Sequence, residues 1–126
     1  MIDLDRHIAA LQVSAEEDWA VAADLMEKRR VRHALFFSHL AIEKLLKVLV
    51  VRAVADIPPR IHNLVRLAEV AGLDVSAEHR DVLAELNPFN LGGRYPETLA
   101  SPPSLADAKA LMARAQELGT WLLNRL

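Results

Sequence analysis

Of the side chains able to move a proton near neutral pH, this chain carries five histidines, His7, His33, His39, His62 and His79. His62 stands out because it follows the rigid Pro58-Pro59 pair at an expected helix start. There its imidazole can hydrogen-bond a carboxylate, shuttle a proton, or simply cap the helix. His7 and His79 read as surface residues near helix ends. His33 and His39 are six apart and do not share a helix face. His39 does share one with Glu43, but two groups do not make a metal site. The paired Glu-x-x-His ligands of carboxylate bundles are also absent, so no metal is expected.

A second chemical candidate is Arg94-Tyr95, placed after Gly92-Gly93 and before Pro96. Pro96 pushes Tyr95 out of helical geometry, so the segment can aim a guanidinium and a phenol in fixed directions. The planar donor fork of arginine fits phosphate, and a phenol can stack on a base. The alternative is that Arg94 pairs across the fold with Glu43 or Asp18 while Tyr95 fills a helix end. Lys44 and Lys47 add positive charge to the candidate phosphate site. Glu43 and Lys47, four apart with the acid first, form a favourable helix pair worth about 0.2–0.5 kcal/mol when exposed. Asp18 lies beside Trp19 near an apolar stripe. A buried, unpaired carboxylate is costly, so Asp18 needs a partner, with Lys44 and Arg94 as candidates. Asp18 and Glu43 are therefore expected to anchor a structural polar network.

Several chemistries are excluded outright. The chain has no cysteine, which removes disulfides, thiolate catalysis and cysteine-ligated metals. It also lacks a glycine-rich phosphate loop, a serine-nucleophile motif and a dinucleotide fingerprint, so no cofactor is expected. Net charge is only -2, yet residues 28–66 carry nine Lys or Arg against Glu43 and Asp56. Such a basic band between acidic ends suits phosphates or an acidic partner, and can equally be an ordinary uneven surface. Met1 to Arg6 lack the features of a secretion signal, and the run Val48-Leu49-Val50-Val51 is far too short to span a bilayer. The expectation is a cytoplasmic protein without a membrane segment.

The elements that must position these groups are helical. With 126 residues, 52% of them hydrophobic, the chain is expected to form one domain over residues 1–126. Over residues 4–27, Ile8, Leu11, Ala15, Trp19, Ala22 and Leu25-Met26 recur at three-to-four spacing, one apolar helix stripe. Residues 31–54 are helical and far more apolar, as befits the central helix of a bundle or one buried in a dimer. Pro58-Pro59 ends that region. A short helix is expected from about His62 to Ala71 with Gly72 closing it, and another from Ser76 to Leu86. Residues 87–103 read as an irregular stretch of the kind that is often functional or mobile. Ser104 caps a closing helix with Asp107 at its third position. The predicted fold is an all-α, antiparallel up-and-down bundle of four long helices plus one short helix.

Three pieces, in this order, resemble the HEPN family, small helical domains of higher eukaryotes and prokaryotes linked to nucleotides or RNA. They are Ala41-Ile42-Glu43-Lys44-Leu45-Leu46-Lys47, Pro58-Pro59-Arg60-Ile61-His62-Asn63-Leu64, and Arg94-Tyr95-Pro96-Glu97. Leu105 to Leu126 fits the family's closing helix. The resemblance implies a homodimer and a frequent partner, a minimal nucleotidyltransferase, within toxin–antitoxin pairs. On that basis the chain is expected to be a nucleotide- or RNA-phosphate-binding partner subunit, using Arg94, Tyr95, Lys44 and Lys47. The family also implies a metal-independent ribonuclease as one alternative, with Arg94 and His62 as candidate catalytic residues. A non-catalytic interaction module is the other. Ribonuclease members carry an Arg and a His with four to six residues between them late in the bundle, and here no histidine follows Arg94. The pair with that spacing, Arg32 and His39, lies on the second helix instead.

Overall fold

The structure is a computed structural model that describes residues 3–99 and 101–126. Helix α1 (Leu4–Glu27) begins at Asp3, whose side chain accepts from the Arg6 amide at 3.1 Å. A turn of Lys28, Arg29 and Arg30 leads into α2 (Val31–Val54), which returns antiparallel to α1. Thirteen α2 residues are buried, including Leu35, Ile42 and Leu46 with no exposed surface. α2 is thus the central post of the bundle, as its apolar sequence predicts, because it is covered on several sides at once.

The remaining helices wrap that post. Asn63 caps α3 (Leu64–Val70) by accepting from the Arg66 amide at 3.1 Å. The cap therefore falls one residue after His62, which sits in the loop rather than in the helix as the sequence suggests. Asn87 fastens this loop from the other side, its Oδ1 accepting from the Leu64 amide at 2.7 Å and its Nδ2 donating to Asn63 Oδ1 at 3.2 Å. Gly72 ends α3 at φ 70°, the left-handed conformation expected of a closing glycine. Ser76 caps α4 (Ala77–Leu86), and Ser104 caps α6 (Leu105–Leu123) through the Asp107 amide.

Between α4 and α6 the stretch expected to be irregular contains a one-turn helix, α5 (Phe89–Gly92), and a 3-10 turn (Pro96–Thr98). Phe89, 7% exposed, anchors α5 in the core. Leu64, Leu67, Leu83, Leu86, Leu118 and Leu122 complete a core with no exposed surface at those positions. The described residues contain no strand, and the chain forms an all-α helical bundle. No described helix is long and apolar enough to cross a membrane.

Candidate functional site

Along α2, Arg32, Phe36, His39, Glu43 and Lys47 are spaced four, three, four and four apart, so they form one stripe on the helix. Arg32 and Phe36 meet the α5 turn, His39 and Glu43 meet the loop before α3, and Lys47 pairs with Glu43, so together they define the polar seam of the molecule. At its centre Glu43 is only 4% exposed. Its Oε1 accepts from His62 Nδ1 at 3.1 Å, and its Oε2 accepts from Lys47 Nζ at 3.0 Å. These contacts compensate a carboxylate that burial alone would penalise heavily.

The two histidines at Glu43 have opposite settings. His39 is fully buried, and its Nε2–H donates to the His62 carbonyl at 3.1 Å. Its Nδ1 lies 3.8 Å from Glu43 Oε1 and has no hydrogen-bond partner. Burial lowers the His39 pKa below the ordinary value of 6.5, against the opposing pull of the Glu43 charge. His39 is therefore a neutral structural pin that locks the backbone of residue 62. The His62 side chain is 53% exposed. Its Nδ1–H donates to Glu43, which orients the ring and leaves Nε2 without a hydrogen-bond partner among the described residues. That pairing of a buried carboxylate with a solvent-facing imidazole is the arrangement a general base requires.

Toward the start of α2, Arg32 donates to the carbonyls of Gly93 at 2.5 Å and Gly92 at 3.3 Å. This cross-tie presses α5 onto α2 and sets the Arg94-Tyr95 turn. Arg94 is exposed and lies over the Phe36 ring, 5.5 Å from its centroid, and Tyr95 is 52% exposed. Arg94 thus pairs with neither Glu43 nor Asp18, and Tyr95 does not fill a helix end. Gly93 explains the close approach, since a Cβ there would overlap the Phe36 ring. We expect Gly93→Ala to destabilise the fold by about 1–3 kcal/mol, the usual cost of overpacking. Urea denaturation checks this, and most of the loss should disappear in a Phe36→Ala background.

The other sequence candidates are placed elsewhere. Lys44 points to α1, where its Nζ donates to Asp18 at 2.5 Å and to Ser14 at 2.5 Å. Lys47 is held by Glu43. Glu43 and Phe36 are seven residues apart on α2, so the α2 residues that His62 and Arg94 contact lie about 10 Å apart along the helix axis. The seam therefore brings together Glu43, Lys47, His62 and His39, with Arg94 and Tyr95 two turns away and Lys44 with Asp18 facing α1. Sequence reasoning missed Arg32 and the role of His39. Their signal was the recurrence of polar residues on one stripe of an otherwise apolar helix. Among the described residues no group of three or more His, Asp or Glu side chains is arranged to hold a metal ion.

Comparison with known proteins gives these features a context. A profile of the HEPN domain matches residues 10–126. The chain belongs to the HEPN domain family. An archaeal HEPN homologue of known crystal structure superposes with a TM-score of 0.73 at 20% identity, covering 94% of this chain and 96% of that one. Identity that low speaks for the shared HEPN fold alone. No curated protein matches the chain. Within this HEPN domain the one Arg–His pair of the spacing found in ribonuclease members, Arg32 and His39, is occupied structurally. Arg32 holds the Gly92 and Gly93 carbonyls, and His39 is buried on the His62 carbonyl.

Proposed function

We propose that this HEPN domain is a metal-independent ribonuclease with His62 as general base, positioned by Glu43. The observation that carries the reading is the hydrogen bond from His62 Nδ1–H to buried Glu43, made by a side chain that is itself 53% exposed. In the reaction, Nε2 takes the proton of a ribose 2′-hydroxyl and the 2′-oxygen bonds to the adjacent phosphorus. The 5′-oxygen of the next nucleotide then leaves with the proton returned by the imidazolium, so the product ends in a 2′,3′-cyclic phosphate. Arg94, lying over Phe36 two turns away along α2, contacts a flanking phosphate through its planar fork, and Tyr95 stacks on a base. Lys47 serves this site indirectly, through Glu43, while Lys44 is engaged by Asp18 and Ser14 on α1. The test is incubation of single-stranded RNA in excess EDTA. Cyclic-phosphate ends and resistance of the 2′-deoxy analogue are expected; no cleavage, or dependence on added metal, sinks the reading.

A second reading, a partner subunit of a minimal nucleotidyltransferase in a toxin–antitoxin pair, is favoured by the exposed Arg94-Tyr95 turn, which suits a nucleotide's phosphate and base. Calorimetric titration with ATP tests it, and loss of binding in Arg94→Ala is the expected result. Both readings take the protein to be a cytoplasmic homodimer. An apolar cleft of about 300 Å³ between α1, α2 and α6, walled by Trp19, Ile42 and Leu123, supports a dimer contact there. A purely docking module would leave Glu43, Lys44 and Arg94 satisfied internally; Glu43 and Lys44 are so paired, whereas Arg94 is exposed.

A further inference from the structure

The turn between α1 and α2 breaks a local rule that the same chain obeys elsewhere. At the end of α3 the Gly72 amide donates to Glu69 O and the Leu73 amide to Ala68 O, both at 3.0 Å, with Gly72 at φ 70°. The end of α1 repeats the motif bond for bond. The Arg29 amide donates to Met26 O at 3.0 Å and the Arg30 amide to Leu25 O at 2.8 Å. Here, however, the left-handed position is held by Arg29, at φ 61°. Glycine relieves the steric cost at such a position, and a long side chain keeps it. Ala55 also adopts this conformation, at φ 55°, so strain alone assigns nothing.

What distinguishes Arg29 is its surroundings. Lys28, Arg29 and Arg30 are all exposed, and among the described residues none of them lies within ion-pair distance of a carboxylate. Glu27 and Glu97 are the nearest acids in sequence to this turn and to Arg94. Arg30 is the N-cap residue of α2 and makes no side-chain cap, so the positive end of a 24-residue helix opens into the same region. Arg32, two residues on, ties the Gly92-Gly93 backbone to this end of α2, and Arg94 lies over Phe36 one turn further. Through Arg32 the start of α2 is tied to the segment that carries Arg94, so the exposed cations of the turn and Arg94 are borne by neighbouring parts of the fold.

We infer that the Lys28-Arg29-Arg30 turn is a docking platform for the phosphate backbone of single-stranded RNA, continuous through Arg94 with the His62 centre. This deepens the ribonuclease reading and rests on it for the identity of the polyanion. From residue 30 to residue 43 the helix rises about 20 Å, so a strand reacting at His62 must extend several nucleotides to reach the platform. Short oligonucleotides are accordingly poor ligands, and binding is strongly salt-dependent.

The experiment uses the full chain and a 2′-O-methyl oligonucleotide, which cannot be cleaved, in fluorescence anisotropy at several salt concentrations. Arg29→Gly should raise Tm by about 3 °C, since glycine suits the left-handed position. It should nonetheless weaken binding about fourfold at about 0.15 M salt and lower the salt slope by about 0.7, the loss of one phosphate contact. Arg29→Lys should restore most of the binding. Arg80→Ala, on α4, controls for net charge. Unchanged binding by Arg29→Gly, equal weakening by Arg80→Ala, competition by polyglutamate as strong as by RNA, or no binding by the parent protein overturns the platform. Cleavage is read separately. A protein that binds through Arg29 without cleaving RNA loses the ribonuclease reading and keeps the platform, whereas one that cleaves with Arg29 irrelevant does the reverse.

Discussion

On the proposed ribonuclease reading, replacing His62 with glutamine is expected to lower RNA cleavage by about 10²–10⁴-fold, the usual contribution of a positioned general base. Glutamine keeps a polar side chain in the loop but has no basic nitrogen to accept the 2′-hydroxyl proton. The fold should hardly notice, because the His62 side chain is half exposed and a glutamine amide at that position can still donate to Glu43. The His62 backbone carbonyl accepts from His39 Nε2, a bond the substitution leaves in place. Three measurements separate chemistry from structure. The turnover number should collapse, KM should stay within a few-fold, and the thermal midpoint should stay close to that of the parent. His7→Gln, on α1, serves as the matched control. If His62→Gln cleaves like the parent, His62 is not the base and the function must be sought at the Arg94-Tyr95 turn.

The fold was legible because its signals are local. Asp18, Trp19 and the apolar stripe of α1 lie at fixed helical spacing, and the Ser76 and Ser104 caps announce α4 and α6 within one residue. Long α2 was legible from its hydrophobicity alone. The site was legible only in part. Glu43, Lys47 and His62 are recognisable as chemical groups, but their meeting depends on how the Pro58-Pro59 loop folds back onto α2, and nothing in sequence spacing encodes that distance. Residues 87–99 were opaque for a related reason. Phe89 anchors α5 by tertiary burial, and Arg32 fixes its end from a helix some sixty residues earlier, as the 3.3 Å bond to Gly92 O shows. Arg29 was hidden because a left-handed conformation at a non-glycine residue has no sequence signature.

Removing the Glu43 carboxylate tests the seam from its buried side. Glu43→Ala should destabilise the protein by about 2–4 kcal/mol in chemical denaturation. Breaking a fully buried ion pair costs about 3–5 kcal/mol. The smaller value is expected because His62 retains water access and the Lys47 stem can carry its ammonium outward. Glu43→Gln keeps the shape and an acceptor for His62 Nδ1–H, so its cost to stability should be the smaller of the two. Its cost to catalysis should remain, because a neutral amide does not stabilise the imidazolium formed during proton transfer. A fall in turnover with little change in KM or thermal midpoint identifies Glu43 as the positioning residue of the base.

Burial of His39, opposed by the Glu43 charge, makes stability depend on pH on the acid side. Burial holds the folded His39 pKa below 6.5, so as pH falls through that value the unfolded chain takes up a proton that the native state refuses. The unfolded state then binds more protons, and stability declines as pH drops below about 6.5 toward the folded value. Glu43 opposes this, since its charge raises the His39 pKa, whereas Lys47 and His62 lower it electrostatically. Glu43→Gln should therefore steepen the acid limb of stability, and His39→Gln should flatten it. Denaturation midpoints measured across the acid range decide the matter. An unchanged acid limb in His39→Gln would show that another group drives the loss, and would detach His39 from the seam's pH response.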